Sequence, residues 1–262
     1  MQRYVYQFGG TAVVIICLLA LGFVLVSLAS LGSGSGAALE SRPDSTTELE
    51  ELEADKLTFG PDDLAGISEL ELEADKLQVD FVPGEEGIVL GEELQAEANG
   101  ERLHIFHPAG NPPTKALKVV IGGAKEYTAI NISGEEAVVR GAVTTEKFSL
   151  NNAGIKANLD LTADQLEANG AGIDFTGRLQ VREILFNGAG IKMDLEVEAA
   201  ELIEMNGIGV NGRVKYLDRW SGPRRLETNS MGANLDVYIP KNNEGGINIE
   251  DNGLGATKVN YY

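Results

Sequence analysis

The sequence predicts an all-β fold, a single-stranded parallel β-helix (β-solenoid) with an N-terminal transmembrane helix. Three observations predict it. The tetrad Asn-x-x-Gly recurs seven times, at spacings of 18 to 23 residues. Apolar and polar residues alternate around each copy, the period of a strand with one buried face. An uncharged apolar run, Thr11 to Leu31, opens the chain. It is long enough to span a bilayer.

The anchor comes first in order. No charge occurs between Tyr4 and Leu39. Arg3 precedes the run; Glu40, Asp44, Glu48, Glu50 and Glu51 follow it, opposed by Arg42 alone. That asymmetry places residues 1–10 in the cytoplasm, residues 11–31 in the membrane and the rest outside. The expected location is therefore the cell membrane, single-pass, with the bulk of the chain extracytoplasmic. A cleaved signal peptide ending near Ser27-Leu28-Ala29 is the alternative, although the apolar run exceeds the usual length of a signal core. The single cysteine, Cys17, lies inside the run behind isoleucines and lacks the small residue that precedes an acylated cysteine. One cysteine also excludes an intramolecular disulfide. Residues 32–53 pass from GSGSG to an acidic segment and read as a flexible stalk. Residues 54–262 are the exterior domain.

The repeat defines that domain. Its asparagines are Asn131, Asn151, Asn169, Asn187, Asn206, Asn229 and Asn252, and its glycines Gly134, Gly154, Gly172, Gly190, Gly209, Gly232 and Gly255. Apolar residues stand three before most of the asparagines and one after the middle glycines. Each unit reads as strand, tight turn, strand, second turn. A unit this short cannot bury its apolar face alone, but stacked units share a continuous core. The glycines are expected in left-handed or tight backbone positions. The asparagines are expected to stack as an in-register amide ladder. A competing calcium reading starts from NGAGID at Asn169–Asp174. The residues equivalent to Asp174 are Lys156, Lys192, Asn211 and Asn234, and two lysines there repel a cation. Upstream, ELEADKL occurs at Glu51–Leu57 and again at Glu71–Leu77. Leu70–Pro108 reads as strands that cap or begin the stack, and Asn111-Pro112-Pro113 as a loop. ANLDVYIP and LGATKVNYY read as closing strands, whose edge needs protection or a partner.

Chemistry is sparsely encoded. Forty acids against 21 bases give a net charge of −19, which excludes general nucleic-acid binding. His104 and His107 lie on a predicted strand at a spacing that points them to opposite faces, unlike a helical zinc pair. No Gly-x-Ser-x-Gly elbow, Walker loop or dinucleotide fingerprint occurs. No catalytic, cofactor-binding or metal residue is therefore assigned. The most distinctive local feature breaks the repeat: RVKYLDRWSGPRRLE, where the spacing grows to 23. Tyr216, Arg219, Trp220, Arg224 and Arg225 make it a candidate partner-binding loop for lipid headgroups, an anionic cell-wall polymer or an acidic membrane-protein partner. The alternative is that these bases pair with the protein's own acids and that Trp220 packs on the solenoid.

The succession LELEADKLQVDFVPGEEGIVL, ERLHIF, ALKVVIGG and then the Asn-x-x-Gly repeats resembles the bacterial putative-adhesin family with β-strand repeats. The likeness runs from Leu70 to Tyr262 and includes units such as LNNAGIKANL and LEANGAGIDF. It implies a single-stranded parallel β-helix at the cell envelope and supplies no catalytic residues. The function it implies is a membrane-anchored, non-catalytic adhesion or interaction module. An accessory or sensory protein of an envelope-stress response is the second reading, and a carbohydrate-active β-helix enzyme the third.

Overall fold

A computed structural model describes residues 57–108, 110, 112–220, 222–241 and 246–262. The predicted membrane span, stalk, first ELEADKL copy (to residue 56) and Cys17 lie outside the described residues. All described residues belong to one compact unit, Glu53–Tyr262. It is all-β, with no helix among the described residues.

The strands are β1 (Thr58–Phe59), β2 (Glu69–Glu73), β3 (Lys76–Val82), β4 (Ile88–Leu90), β5 (Gln95–Asn99), β6 (Arg102–Phe106) and β7 (Leu117–Gly122). Then follow β8 (Tyr127–Gly170), β9 (Gly172–Gly188), β10 (Ile191–Glu198), β11 (Leu202–Tyr216), β12 (Arg224–Ile239), β13 (Ile247–Asp251) and β14 (Leu254–Tyr261). From β8 onward each coil pairs in parallel with the next: β8 with β9, β9 with β10 and β11, β11 with β12, and β12 with β13 and β14. Alternate side chains point inward. Ile155, Ile173, Ile191 and Val210 form one buried column, and Leu166, Ile184, Ile203 and Leu226 another.

Two details differ from the sequence reading. First, in the Asn131 and Asn151 copies the asparagine does not begin a tight turn. β8 runs unbroken through Asn131, Gly134, Asn151, Gly154 and Asn169, so the coil bends while its ladder continues. Of the seven repeat glycines, only Gly134, Gly209 and Gly232 have positive φ. A Cβ on Gly172 would meet open space, and on Gly154 or Gly190 only ordinary contacts. The obligatory glycines include some outside the tetrad's last position. Gly207 has φ 153°, and a Cβ there would collide with the Gly188 carbonyl of the coil beneath. Close coil-to-coil approach, more than turn geometry, is what excludes a side chain there.

Second, space does not follow sequence at the N-terminal end. β2 and β3 lie inside the stack. β6 and β7 pair in parallel with them on one side, and β8 on the other. Outside β6 and β7 the chain reverses direction: β4 is antiparallel to β7, β1 to β4, and β5 to β6.

The outward residues of the coil faces form charge-alternating columns. Lys192 lies 3.9 Å from Asp174, Arg213 2.7 Å from Asp194 and Lys215 2.8 Å from Glu196. Asp174 stands in register between Lys156 and Lys192.

Candidate functional site

The asparagines form one continuous ladder. Asn151 Nδ2 donates to Asn131 Oδ1 at 2.9 Å, and Asn169, Asn187, Asn206, Asn229 and Asn252 each donate to the asparagine before, at 2.7 to 2.9 Å. Glu167, Glu204 and Glu227 each accept a second bond from the asparagine two residues on. Toward the N-terminal end the column passes from Asn131 to Glu71 and then His104. His104 lies 3.3 Å from Glu73 and stacks on Phe106, and His107 lies 3.6 Å from Glu93.

Beside the ladder runs a column missed in the sequence. The residue before each repeat glycine is Ser133, then alanine at Ala153, Ala171 and Ala189, then Ile208, Met231 and Leu254. The last three are stacked and exposed at 43%, 59% and 74%. The signal was present as a drift from small to large at one repeat position.

The inserted loop folds back on the protein. Arg224 donates to both Asp218 carboxylate oxygens, at 3.0 and 2.5 Å, and lies 4.2 Å over the Trp220 ring. Trp220 Nε1 donates to the Gly246 carbonyl at 3.2 Å. Tyr216 packs against Trp220, with ring centroids 5.2 Å apart. Tyr216, Trp220 and Arg224 are buried. Burial pushes the Tyr216 hydroxyl well above its usual range. Arg225 pairs with Glu227 and Glu250. Arg219 is exposed and has no ion pair among the described residues. Of the five candidate residues, the structure brings Tyr216, Trp220 and Arg224 together as a packed cluster and leaves Arg219 and Arg225 outside.

The loop braces the coil beside it. Its Leu217 N–H donates to the Val197 carbonyl, and Arg225 N–H to the Glu201 carbonyl. Asp218 Oδ2 accepts from the Ala199 N–H at 3.3 Å. Ala199 has φ 59°, a left-handed position for a residue with a Cβ, and this contact helps hold it.

Ala199 and Glu201 line one end of an open trough of about 630 Å³ that crosses successive coils at one corner. Its floor and sides come from 126–128, 144–146, 162–164, 180 and 182. Thr162 pairs in register with Gln180, and Glu201 N–H donates to the Arg182 carbonyl. Thr145 and Ala163 are the small residues facing inward between Tyr127 and Val181, so the corner sinks there. The lining is rich in hydroxyls (Thr128, Thr144, Thr162) and carboxylates (Glu126, Glu146, Asp164, Glu201), with Gln180 and Arg182. Arg182 bonds Glu183 at 2.5 Å and lies 3.9 Å from Asp164. No motif marks the trough, because its residues meet only when the chain is wound at the coil period.

Comparison with known proteins places this architecture. No protein-family model matches the chain, and no curated protein matches it. Among solved structures it is similar to a putative adhesin from Bacteroides fragilis, with a TM-score of 0.51 and 12% identity. That match covers 78% of this chain and 96% of that one. A putative adhesin from Parabacteroides distasonis has a TM-score of 0.35 and 15% identity, covering 79% and 96%. A putative cell adhesion protein from Clostridium sporogenes has a TM-score of 0.23 and 13% identity, covering 79% and 99%. The chain is thus a β-solenoid, the architecture the resemblance implied. The first of these likenesses shows that fold, and a fold alone does not define an activity.

Proposed function

We propose that this protein is a membrane-anchored, extracytoplasmic β-solenoid that acts as a non-catalytic adhesion or interaction module of the cell envelope. The apolar run Thr11–Leu31, with its charge asymmetry, supports the anchoring. The name shared by the structural neighbours supports an adhesion-like role. The observation that carries the reading is the corner trough, one end of which, at Ala199 and Glu201, is bonded to an insertion in the repeat. A stack held by an unbroken amide ladder gives that trough a fixed spacing, and insertions in such stacks commonly form binding faces.

The test is co-sedimentation of the full-length chain, in detergent, with isolated wall and membrane fractions. Thr162→Arg places a long cation in the trough at an exposed position and leaves the core intact. The expected result is retention of the native chain and its loss with Thr162→Arg, at unchanged circular dichroism. Equal retention of the two would remove the trough from the function.

A further inference from the structure

We propose that the corner trough binds a linear glycan built of hexosamine units that carry free ammonium groups. This rests on the interaction-module reading above and adds the class of ligand.

Four observations carry it. The trough is long and open. Five successive rows, 126–128 to 199–201, cross it, and at the spacing of paired strands four intervals give roughly 19 Å. That accommodates a short linear chain better than a compact small molecule. Its polar lining carries over from coil to coil: Thr162 stands in register with Gln180, and Asp164, flanked by the same pairing, lies beside Arg182, while Thr128, Thr144 and Glu146 line the rows before. A ligand whose own repeat is close to one strand spacing meets an equivalent donor–acceptor set at each row, and a linked pyranose has about that length. Hydroxyl and amide side chains both give and accept hydrogen bonds, as sugar hydroxyls do.

The charge selects among glycans. Four carboxylates line the trough against one guanidinium, and Arg182 is already engaged by Glu183 and Asp164. Glu126, Glu146 and Glu201 have no ion pair among the described residues. The field therefore repels phosphate, sulfate and uronate, and attracts an ammonium group held among hydroxyls.

The fourth observation is independent of the acidic lining. Tyr127 lines the trough and is 2% exposed, yet its hydroxyl has no hydrogen-bond partner among the described residues. A buried hydroxyl without a partner is costly, and a ligand hydroxyl or amine bound beside it would offset that cost.

The experiment is calorimetric titration of the full-length chain in detergent. The probes are a β-1,4-linked glucosamine tetramer, its fully N-acetylated form, dextran sulfate and octalysine. The glucosamine tetramer is expected to bind, and dextran sulfate to give no heat. Thr144→Val with Thr162→Val is expected to weaken the tetramer about tenfold, as lost hydrogen bonds to a ligand do. Glu146→Gln with Asp164→Asn is expected to abolish the preference for the free amine over the acetylated sugar. All four positions are at the surface or nearly so, and circular dichroism checks the fold. Failure of the tetramer to bind, or binding indifferent to these substitutions, overturns the proposal. So does octalysine binding that equals the tetramer's and ignores the threonine changes, since charge alone would then explain it. If envelope fractions still retain the native chain but not Thr162→Arg, the ligand class is wrong and the interaction reading stands. If retention is also indifferent to Thr162→Arg, both fall.

Discussion

The two ends of the solenoid solve the same problem differently. At the N-terminal end the repeat is stopped: β4 and β5 run antiparallel to the strands they cover, and β1 antiparallel to β4. Their own Ile88 and Leu90, with Leu94 in the connection that follows, are buried. At the C-terminal end β13 and β14 continue the parallel register of β12. Equivalent residues there lose their cover. Leu226 is fully buried, but Ile249, one coil on and in register, is only half-buried; Val237 and Val259 repeat the contrast. The alternation is the same in both coils. Burial in a stacked repeat is decided by the neighbour on each side, so the same residue type has different worth at different rungs.

The sharpest way to test that contrast is to remove one core side chain from each region. Phe175 is fully buried and meets Phe186 edge to face at 5.4 Å. Phe175→Ala is expected to cost about 3–5 kcal/mol in equilibrium urea unfolding. Val259→Ala in the last coil is expected to cost about 1 kcal/mol or less, because its site can relax toward solvent. Similar losses from the two changes would show that the end coil is covered in solution.

A second comparison lies within the inserted loop. Arg224 is 8% exposed and holds Asp218 with two bonds, whereas Arg219 is exposed. Arg224→Ala is expected to cost roughly 2–3 kcal/mol, below the full figure for a broken buried pair because Asp218 keeps some solvent. It should also loosen Trp220, whose fluorescence is expected to shift to the red. Arg219→Ala is expected to stay within about 0.5 kcal/mol of the native chain. If Arg224→Ala is equally silent, the cluster is not what holds the loop against the solenoid.

The sequence showed the ladder and the parallel core plainly because both obey one short-range rule repeated at a readable spacing. The pairing of the loop's bases was also within reach. Arg213 meets Asp194, 19 residues back, and Lys215 meets Glu196 at the same offset. Applying the repeat to the charges, as well as to the apolar residues, would have found both. The N-terminal layer order was not legible. Leu70 and Leu72 fit between Leu103 and Ile105 on one side and Ile130 and Ile132 on the other. Any alternating apolar strand would fit there, so alternation cannot rank the layers. The antiparallel cap escaped for another reason: β1 and β4 have two and three residues, too few to show a period. The trough escaped because it arises from small inward residues, Thr145 and Ala163, meeting across coils.

Alkaline pH separates the trough side from the rest of the core. Burial pushes the Tyr127 hydroxyl up to about 12, above its unfolded value near 10. The folded state then holds this proton more tightly than the unfolded chain. That contribution is complete below pH 10 and is lost as pH rises through about 12. Tyr127→Phe is expected to flatten part of the alkaline fall in unfolding midpoint and, by removing a buried hydroxyl without a partner among the described residues, to raise neutral stability by about 1 kcal/mol. The part that remains belongs to Tyr216, shifted in the same direction. An identical alkaline fall with and without the Tyr127 hydroxyl would show that water already reaches it.

The finest contrast is between rungs of the ladder. Asn187 donates to Asn169 and accepts from Asn206, so it is bonded on both sides. Asn252 donates to Asn229 and Glu227 in the last coil, where no asparagine among the described residues donates to it. Asn187→Ala removes one bond of its own and leaves the Asn206 amide without that acceptor. The expected cost is about 1–2 kcal/mol, since a partly buried polar group loses its partner. Asn252→Ala frees the Asn229 carbonyl oxygen and one Glu227 oxygen in the last coil, where water can satisfy them, and is expected to cost a few tenths of a kcal/mol. Equilibrium unfolding of the two variants reads the difference directly. Equal costs would mean that each rung acts alone; a larger loss at the middle rung would show that the stack, not the single amide, is the unit the repeat preserves.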